Sequence, residues 1–233
     1  MAPVARELSS IKGILEPLQT ATSVEGQVQE LKVVLEKNGD FPVTLIGFSW
    51  GAMLSFIFTA QYPSLVEKLI LIGSGTYEDR YAENIMATRL IRLSEVERRE
   101  SLSLIEILED PAIEDKNRLM ACFSQLMFKA DSYDPLPHDS EILEFQYNIN
   151  KSVWEQAGEL RNSGKLLELG RRIHCPVVAI HGDYDPHLSD GVKEPLSRIL
   201  KDFRFILLEK CGHYPWIERS AKDRFYNILK NEV

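Results

Sequence analysis

The sequence predicts an α/β protein, a mostly parallel sheet whose strands alternate with helices and are interrupted by one long helical insertion. Three observations carry this expectation. Four runs, Pro42–Phe48, Val66–Gly73, Pro176–Gly182 and Phe203–Glu209, are nearly continuous in apolar and β-branched residues, the pattern of parallel strands covered on both faces. The stretches flanking them repeat their apolar residues at helical spacing. Between about Tyr77 and Gly170 strand-like runs vanish while the helical period persists.

Taken in order, Thr22-x-x-Glu25 reads as a capping box ahead of Val24, Val28, Leu31 and Leu35, whose spacings of four, three and four residues place them on one helical face. That helix should end near Asn38-Gly39, and the first strand, "PVTLIGF", follows. The helix expected over about Gly51 to Tyr62 is apolar almost all round, as a buried helix is. After the second strand, Leu119, Cys122, Phe123, Leu126 and Met127 recur at helical spacing. Ser94-x-x-Glu97 and Ser152-x-x-Glu155 read as capping boxes and Asp110-Pro111 as a helix start. Residues 1–76 and 171–233 are therefore expected to form the core, and residues 77–170 a helical cap inserted into it. The acids of that insertion, among them Glu78, Asp79, Glu83, Glu106 and Glu109, read as solvated helix faces.

At 233 residues and 44% apolar, the chain can bury a core of its own. A net charge of −8, with Lys and Arg scattered among acids, excludes a concentrated basic face for nucleic acid. The start "MAPVARELSS" lacks a signal-peptide pattern, and the most apolar run is too short and interrupted to span a bilayer, so a cytoplasmic address is expected and no membrane partner. Cys122, Cys175 and Cys211 lie far apart without C-x-x-C spacing and read as buried or idle thiols, neither a disulfide framework nor a zinc site.

The chemistry concentrates in Gly47-Phe48-Ser49-Trp50-Gly51. A bare G-x-S-x-G arises by chance in roughly one chain in ten of this length; here it joins the end of a buried strand to the start of an apolar helix, the setting of a nucleophile elbow. Gly47 and Gly51 are expected to be required because the turn is tight on both sides of Ser49. The helix N-terminus adds free N–H groups, and the Trp50 N–H is placed to meet an oxyanion. A serine needs a histidine to take its proton and a carboxylate to orient that histidine. "HGDYDPH" puts Asp183 and Asp185 after the third strand, and "KCGHYPW" puts His213 after the fourth, all at the strand ends where sites of open α/β sheets gather. His181 and His187 read as a strand-end and a loop histidine without metal-type partners.

The chain resembles the α/β-hydrolase superfamily, specifically cap-bearing members similar to proline iminopeptidases and small esterases, from about residue 24 onward. "GFSWG" matches the family's elbow, Gly182-Asp183-Tyr184-Asp185 its acid motif and Gly212-His213 its histidine motif. The resemblance implies Ser49 as nucleophile, Asp185 as acid and His213 as base, with no cofactor; the Trp50 N–H stays the expected oxyanion donor and no metal is expected. It implies a serine hydrolase acting on a small-molecule acyl substrate, an ester, amide or thioester. Asp183 competes for the acid role but reads more simply as a turn residue. Family members carry further strands before the elbow, one of them ending in a histidine-glycine loop that supplies a second oxyanion donor. About 40 residues precede "PVTLIGF" here and none matches that loop. The chain is thus expected to be N-terminally shortened, leaving an open sheet edge for self-association or a complementing chain. The alternative expectation is a weakly active or non-catalytic relative that binds a ligand or partner.

Overall fold

A computed structural model describes residues 1–138 and 145–233; the expected insertion 77–170 therefore includes a short stretch outside the described residues. Strands β1 (Val43–Phe48), β2 (Val66–Ile72), β3 (Val177–Gly182) and β4 (Phe203–Leu208) form one sheet in the order β1-β2-β3-β4. All neighbouring pairs are parallel. Because the sheet grows in one direction, right-handed crossovers place successive connecting helices on the same face. Helix α3 (Trp50–Gln61), after β1, and α9 (Asp190–Ile199), after β3, accordingly share one core layer with α2 (Val24–Asn38). The other face is covered by the chain ends, α1 (Ala2–Leu8) and α10 (Lys222–Glu232).

This layering explains the apolar runs. In β2 and β3, Leu69, Leu71, Val177 and Ala179 face the α2/α3/α9 layer, while Ile70, Ile72, Val178 and Ile180 face the α1/α10 layer. Both pleat faces are dry, so alternation disappears. β1 is different. Leu45 and Val43 pack on the α2/α3/α9 layer and Ile46 and Phe48 on the α1/α10 layer, so both faces are covered as its apolar run predicts, but only Leu45 and Gly47 are fully buried; its sole partner among the described strands is β2, which makes it an edge strand of the described sheet, as expected. α1 does not extend that edge; Val4 and Leu8, each 1% exposed, pack on the face beside Phe225 and Leu229. Helix α3 is the centre of the molecule, with Ala52 through Ala60 buried. Phe56 and Phe58 are wholly enclosed, and truncating either to Ala should cost about 3–5 kcal/mol.

Between β2 and β3 the described chain is helical: α4 (Ile85–Arg92), α5 (Glu95–Glu109), α6 (Asn117–Asp131), α7 (Tyr147–Asn162) and α8 (Lys165–Glu168). The Ser94/Glu97 capping box forms at the start of α5. Three other terminus signals do not. The cap of α2 is Ser23, whose hydroxyl accepts the Gly26 N–H, while the Thr22 carbonyl is taken by Ser152 and Gln156 of α7. Ser152 thus lies inside a helix, and its hydroxyl tethers α7 to the α2 entry rather than capping. Asp110 closes α5 and accepts the Ala112 N–H in a turn, and the next helix begins only at Asn117. A Ser or Asp side chain can satisfy a nearby amide in either kind of turn, and tertiary contacts decide which. Cys211 is buried, but Cys122 is exposed on α6 and Cys175 is half-buried.

Candidate active site

Ser49, Asp185 and His213 follow β1, β3 and β4, at the carboxyl edge of one sheet. Register brings those ends together: Phe48 pairs with Ile72, Ile72 with Ile180, and Gly182 with Leu208. The ladder runs one residue further at each end, through Ser49 N–H to Ile72 O at 3.0 Å and Asp183 N–H to Leu208 O at 2.9 Å.

Ser49 stands at φ 53° and ψ −117°, the left-handed side of the map that a side chain rarely adopts. Such strain is held only where surroundings over-determine it. Here a buried strand enters, a buried helix leaves, and the turn between them has no slack. A Cβ on Gly47 would lie 2.2 Å from the Gly51 carbonyl oxygen and 2.6 Å from the Ala52 Cα, so glycine is obligatory there. Gly51 is not equivalent: a Cβ on it would have nothing within 4 Å among the described residues. The expectation that both elbow glycines answer a crowded turn is corrected for Gly51, because the crowding at Gly47 comes from the α3 backbone folding back over β1, while Gly51 points away from that contact. The Trp50 indole anchors the helix start, donating from Nε1 to Gln27 Oε1 at 2.7 Å and lying 5.8 Å from the Trp154 ring. The Trp50 main-chain N–H finds no acceptor among the described residues, as the first helical amide must unless something caps it.

Asp185 and His213 meet directly. His213 Nδ1 lies 2.6 Å from Asp185 Oδ2, with Asp185 5% and His213 4% exposed. Burial opposes ionisation of Asp185, yet the facing His213, His187 and His181 hold its carboxyl well below the usual carboxylate range. The buried group is thus an anion surrounded by imidazoles. Asp183 is exposed and accepts the Cys211 N–H at 3.1 Å, with no contact to His213. Among the described residues Ser49 Oγ has no hydrogen bond to His213; the Phe48 ring, 4.7 Å from the His213 ring, lies against that imidazole instead. Hydrogen bonds of catalytic groups are often loose until substrate is bound.

The loop bearing His213 is held from two sides. The Asp131 carbonyl accepts the His213 N–H at 2.8 Å. Glu218, fully buried, accepts from Gly212 N at 2.9 Å and from the Tyr133 and Asp134 amides, each at 2.8 Å. Gly212 is in turn a close approach, since a Cβ there would sit 2.1 Å from the Asp131 oxygen. Arg89 of α4 clamps the Asp131 carboxylate through two bonds of 2.7 Å. The helical segment and the His213 loop are therefore one hydrogen-bonded unit.

Sequence reasoning did not identify Glu218, Asp131 or Arg89, and nothing local to them announces the contact. His187 and His181 are a different matter. Both gather on Asp185, against their reading as isolated strand-end and loop residues: His187 Nδ1 lies 2.8 Å from Asp185 Oδ1, and His181 Nε2 lies 2.7 Å from the His187 carbonyl. The D-P-H spacing carried that signal. Asp185, His187 and His213 can each offer one ligand atom within 4.8 Å of the others, but both imidazole contacts to the carboxylate have hydrogen-bond length, and the Nδ1 positions are occupied by those bonds. Two clefts, of about 410 and 750 Å³, lie beside α7 and α8 and are not lined by Ser49, Asp185 or His213. No described helix is long and apolar enough to cross a membrane.

Residues 16–220 match the family described as the alpha/beta hydrolase fold. A pyrrolizixenacetamide deacetylase of Xenorhabdus hominickii is 23% identical over 220 residues, covering 93% of this chain and 72% of that protein. Human monoacylglycerol lipase ABHD6 is 23% identical over 209 residues, 86% of this chain; the chain spans 58% of the lipase's length. The crystal structure of a Mycobacterium smegmatis proline iminopeptidase superposes with a TM-score of 0.56 at 15% identity, over 89% of this chain and 70% of that one.

Proposed function

The chain belongs to the alpha/beta hydrolase fold family, and from that premise we propose that it is a serine hydrolase cleaving a small ester, amide or thioester through an acyl-enzyme. The observation that carries this reading is the buried Asp185–His213 pair at 2.6 Å, set at the same sheet edge as the strained Ser49. In the proposed reaction Ser49 Oγ attacks the acyl carbon while His213 Nε2 accepts its proton. The Trp50 N–H donates to the oxyanion, and His213 returns the proton to the departing alcohol, amine or thiol. Water, deprotonated by the same histidine, then releases the acid and restores Ser49. Asp185 keeps its negative charge throughout, orienting the ring and stabilising the imidazolium. Relatives that deacetylate an amide and cleave a monoacylglycerol support an acyl substrate, and a small-molecule substrate is proposed here without cofactor. We place the protein in the cytoplasm.

One observation favours a second reading, a ligand-binding protein of weak activity: among the described residues Ser49 Oγ has no hydrogen bond to His213, whose ring faces Phe48. The two are separated by Ser49→Ala with a fluorophosphonate probe. The hydrolase reading expects covalent labelling of the native chain, none of the variant, and a loss of several orders of magnitude in turnover. Native protein that resists the probe supports the binding reading, and undiminished turnover in Ser49→Ala overturns the serine mechanism.

A further inference from the structure

The proposed triad leaves half of its carboxylate unexplained. Asp185 Oδ2 serves His213, but Oδ1 receives two bonds from one residue, the His187 main-chain N–H at 2.9 Å and the His187 ring Nδ1 at 2.8 Å. A carboxylate held at one oxygen by a pair of donors separated in space cannot rotate about its Cβ–Cγ bond without breaking both. His187 is itself fixed, because His181 Nε2, 2.7 Å away, donates to its carbonyl oxygen. His181 Nε2 is 3.6 Å from Asp185 Oδ2, too long for a hydrogen bond, so its hold on the acid passes through His187. The two rings that share the carboxylate lie 4.9 Å apart between centroids and 34° from parallel.

We propose that His187 is a positioning residue for the proposed triad: by occupying Asp185 Oδ1 through two donors it locks the carboxylate so that Oδ2 presents its lone pair to His213 Nδ1. The proposal rests on the serine-hydrolase reading for its kinetic consequence, but the positioning itself is a property of the folded chain. Burial of His187 favours its neutral form, against the pull of Asp185; the charges facing it are Asp185, His213 and, from α4, Arg89. A neutral ring with its proton on Nδ1 donates to Oδ1 without adding a cation beside the imidazolium that His213 becomes, so it orients the acid at little cost to the base.

The test compares His187→Ala with His187→Asn, whose side-chain amide replaces the Nδ1 donor. Loss of one hydrogen bond to a charged group corresponds to roughly 10- to 100-fold, so kcat of the Ala variant should fall by about that factor with KM little changed, and the Asn variant should recover most of it. The acid limb of kcat/KM should move to lower pH in the Ala variant, because an Asp185 free to turn away from Nδ1 stabilises the His213 imidazolium less, and should stay near the native position in the Asn variant. Independently of turnover, the downfield proton resonance of the His213 Nδ1–H···Asp185 bond should weaken or broaden in the Ala variant and persist in the Asn variant. Folded Ala protein with an unchanged resonance overturns the positioning role even if the serine mechanism stands. An altered resonance without serine labelling overturns the hydrolase reading alone.

Discussion

The two glycines of the elbow look interchangeable in the motif and are not so in the fold, which makes Gly47→Ala against Gly51→Ala a direct test of how the elbow is built. At Gly47 the added Cβ would lie 2.2 Å from the Gly51 oxygen, 2.5 Å from its carbonyl carbon and 2.6 Å from the Ala52 Cα. All three are backbone atoms and cannot step aside as a side-chain tip can, so the strand end must separate from the helix start. Overpacking of this kind costs about 1–3 kcal/mol; at roughly 2–4 °C per kcal/mol for a chain of this size the melting temperature should drop by about 2–12 °C. The displaced elbow should also slow fluorophosphonate labelling of Ser49. At Gly51 the Cβ enters open space at a helical position, where Ala is better than Gly by up to about 1 kcal/mol. Gly51→Ala should therefore match or exceed the native melting temperature by up to about 4 °C. Thermal unfolding followed by circular dichroism, with labelling rates taken on the same samples, decides the matter. Equal destabilisation by the two substitutions would refute the asymmetric crowding on which the account of the elbow rests.

Further predictions concern the acid, the clamp, the edge and pH. Asp185→Asn should lower kcat by about 10⁴ by imposing the wrong imidazole tautomer, while Asp183→Asn should cost far less; reversed effects in steady-state kinetics would move the acid to Asp183. Asp131→Ala strands Arg89 in a largely buried site and should cost about 3–5 kcal/mol in denaturant unfolding, with a loss below 1 kcal/mol counting against the clamp. Among the described residues the outer side of β1 has no strand partner, and such an edge favours pairing with another chain, so sedimentation should show mass growing with concentration; a monomer at every concentration would exclude self-association there. For pH, His187 is depressed in the fold relative to its unfolded value of about 6.5. The unfolded chain then binds the extra proton first, and stability should decline as pH falls below about 6.5. Asp185 is depressed as well, so its contribution is present above its unfolded value near 3.9 and is lost as pH falls through the lower folded value. Urea titrations from pH 8 to 5 should show the first decline, and His187→Asn should flatten it.

What the sequence by itself determined is what depends on neighbours in the chain. Parallel strands read as such because β2 and β3 are dry on both faces, and the turn at Ser49 was legible because strand, tight turn and helix are contiguous from Val43 to Gln61. The order of Ser49, Asp185 and His213 followed from the placement of each after its own strand. The tertiary structure alone decided everything that depends on which segments meet. β1 has the composition of β2, yet only the packing shows that Leu45 and Gly47 alone among its residues are fully buried. Ser152-x-x-Glu155 has the letters of a cap, yet α7 had already begun, and its hydroxyl was claimed by Thr22, 130 residues away in sequence. Gly47 and Gly51 differ only through what the first turn of α3 lays across them. Glu218 became part of the His213 loop by accepting amides from residues 84 and 85 positions distant, and His213 reached Asp185 across 28 positions. Hydrogen bonds and steric contacts fall off within a few ångströms, so they follow distance in space, and only the fold converts sequence separation into that distance.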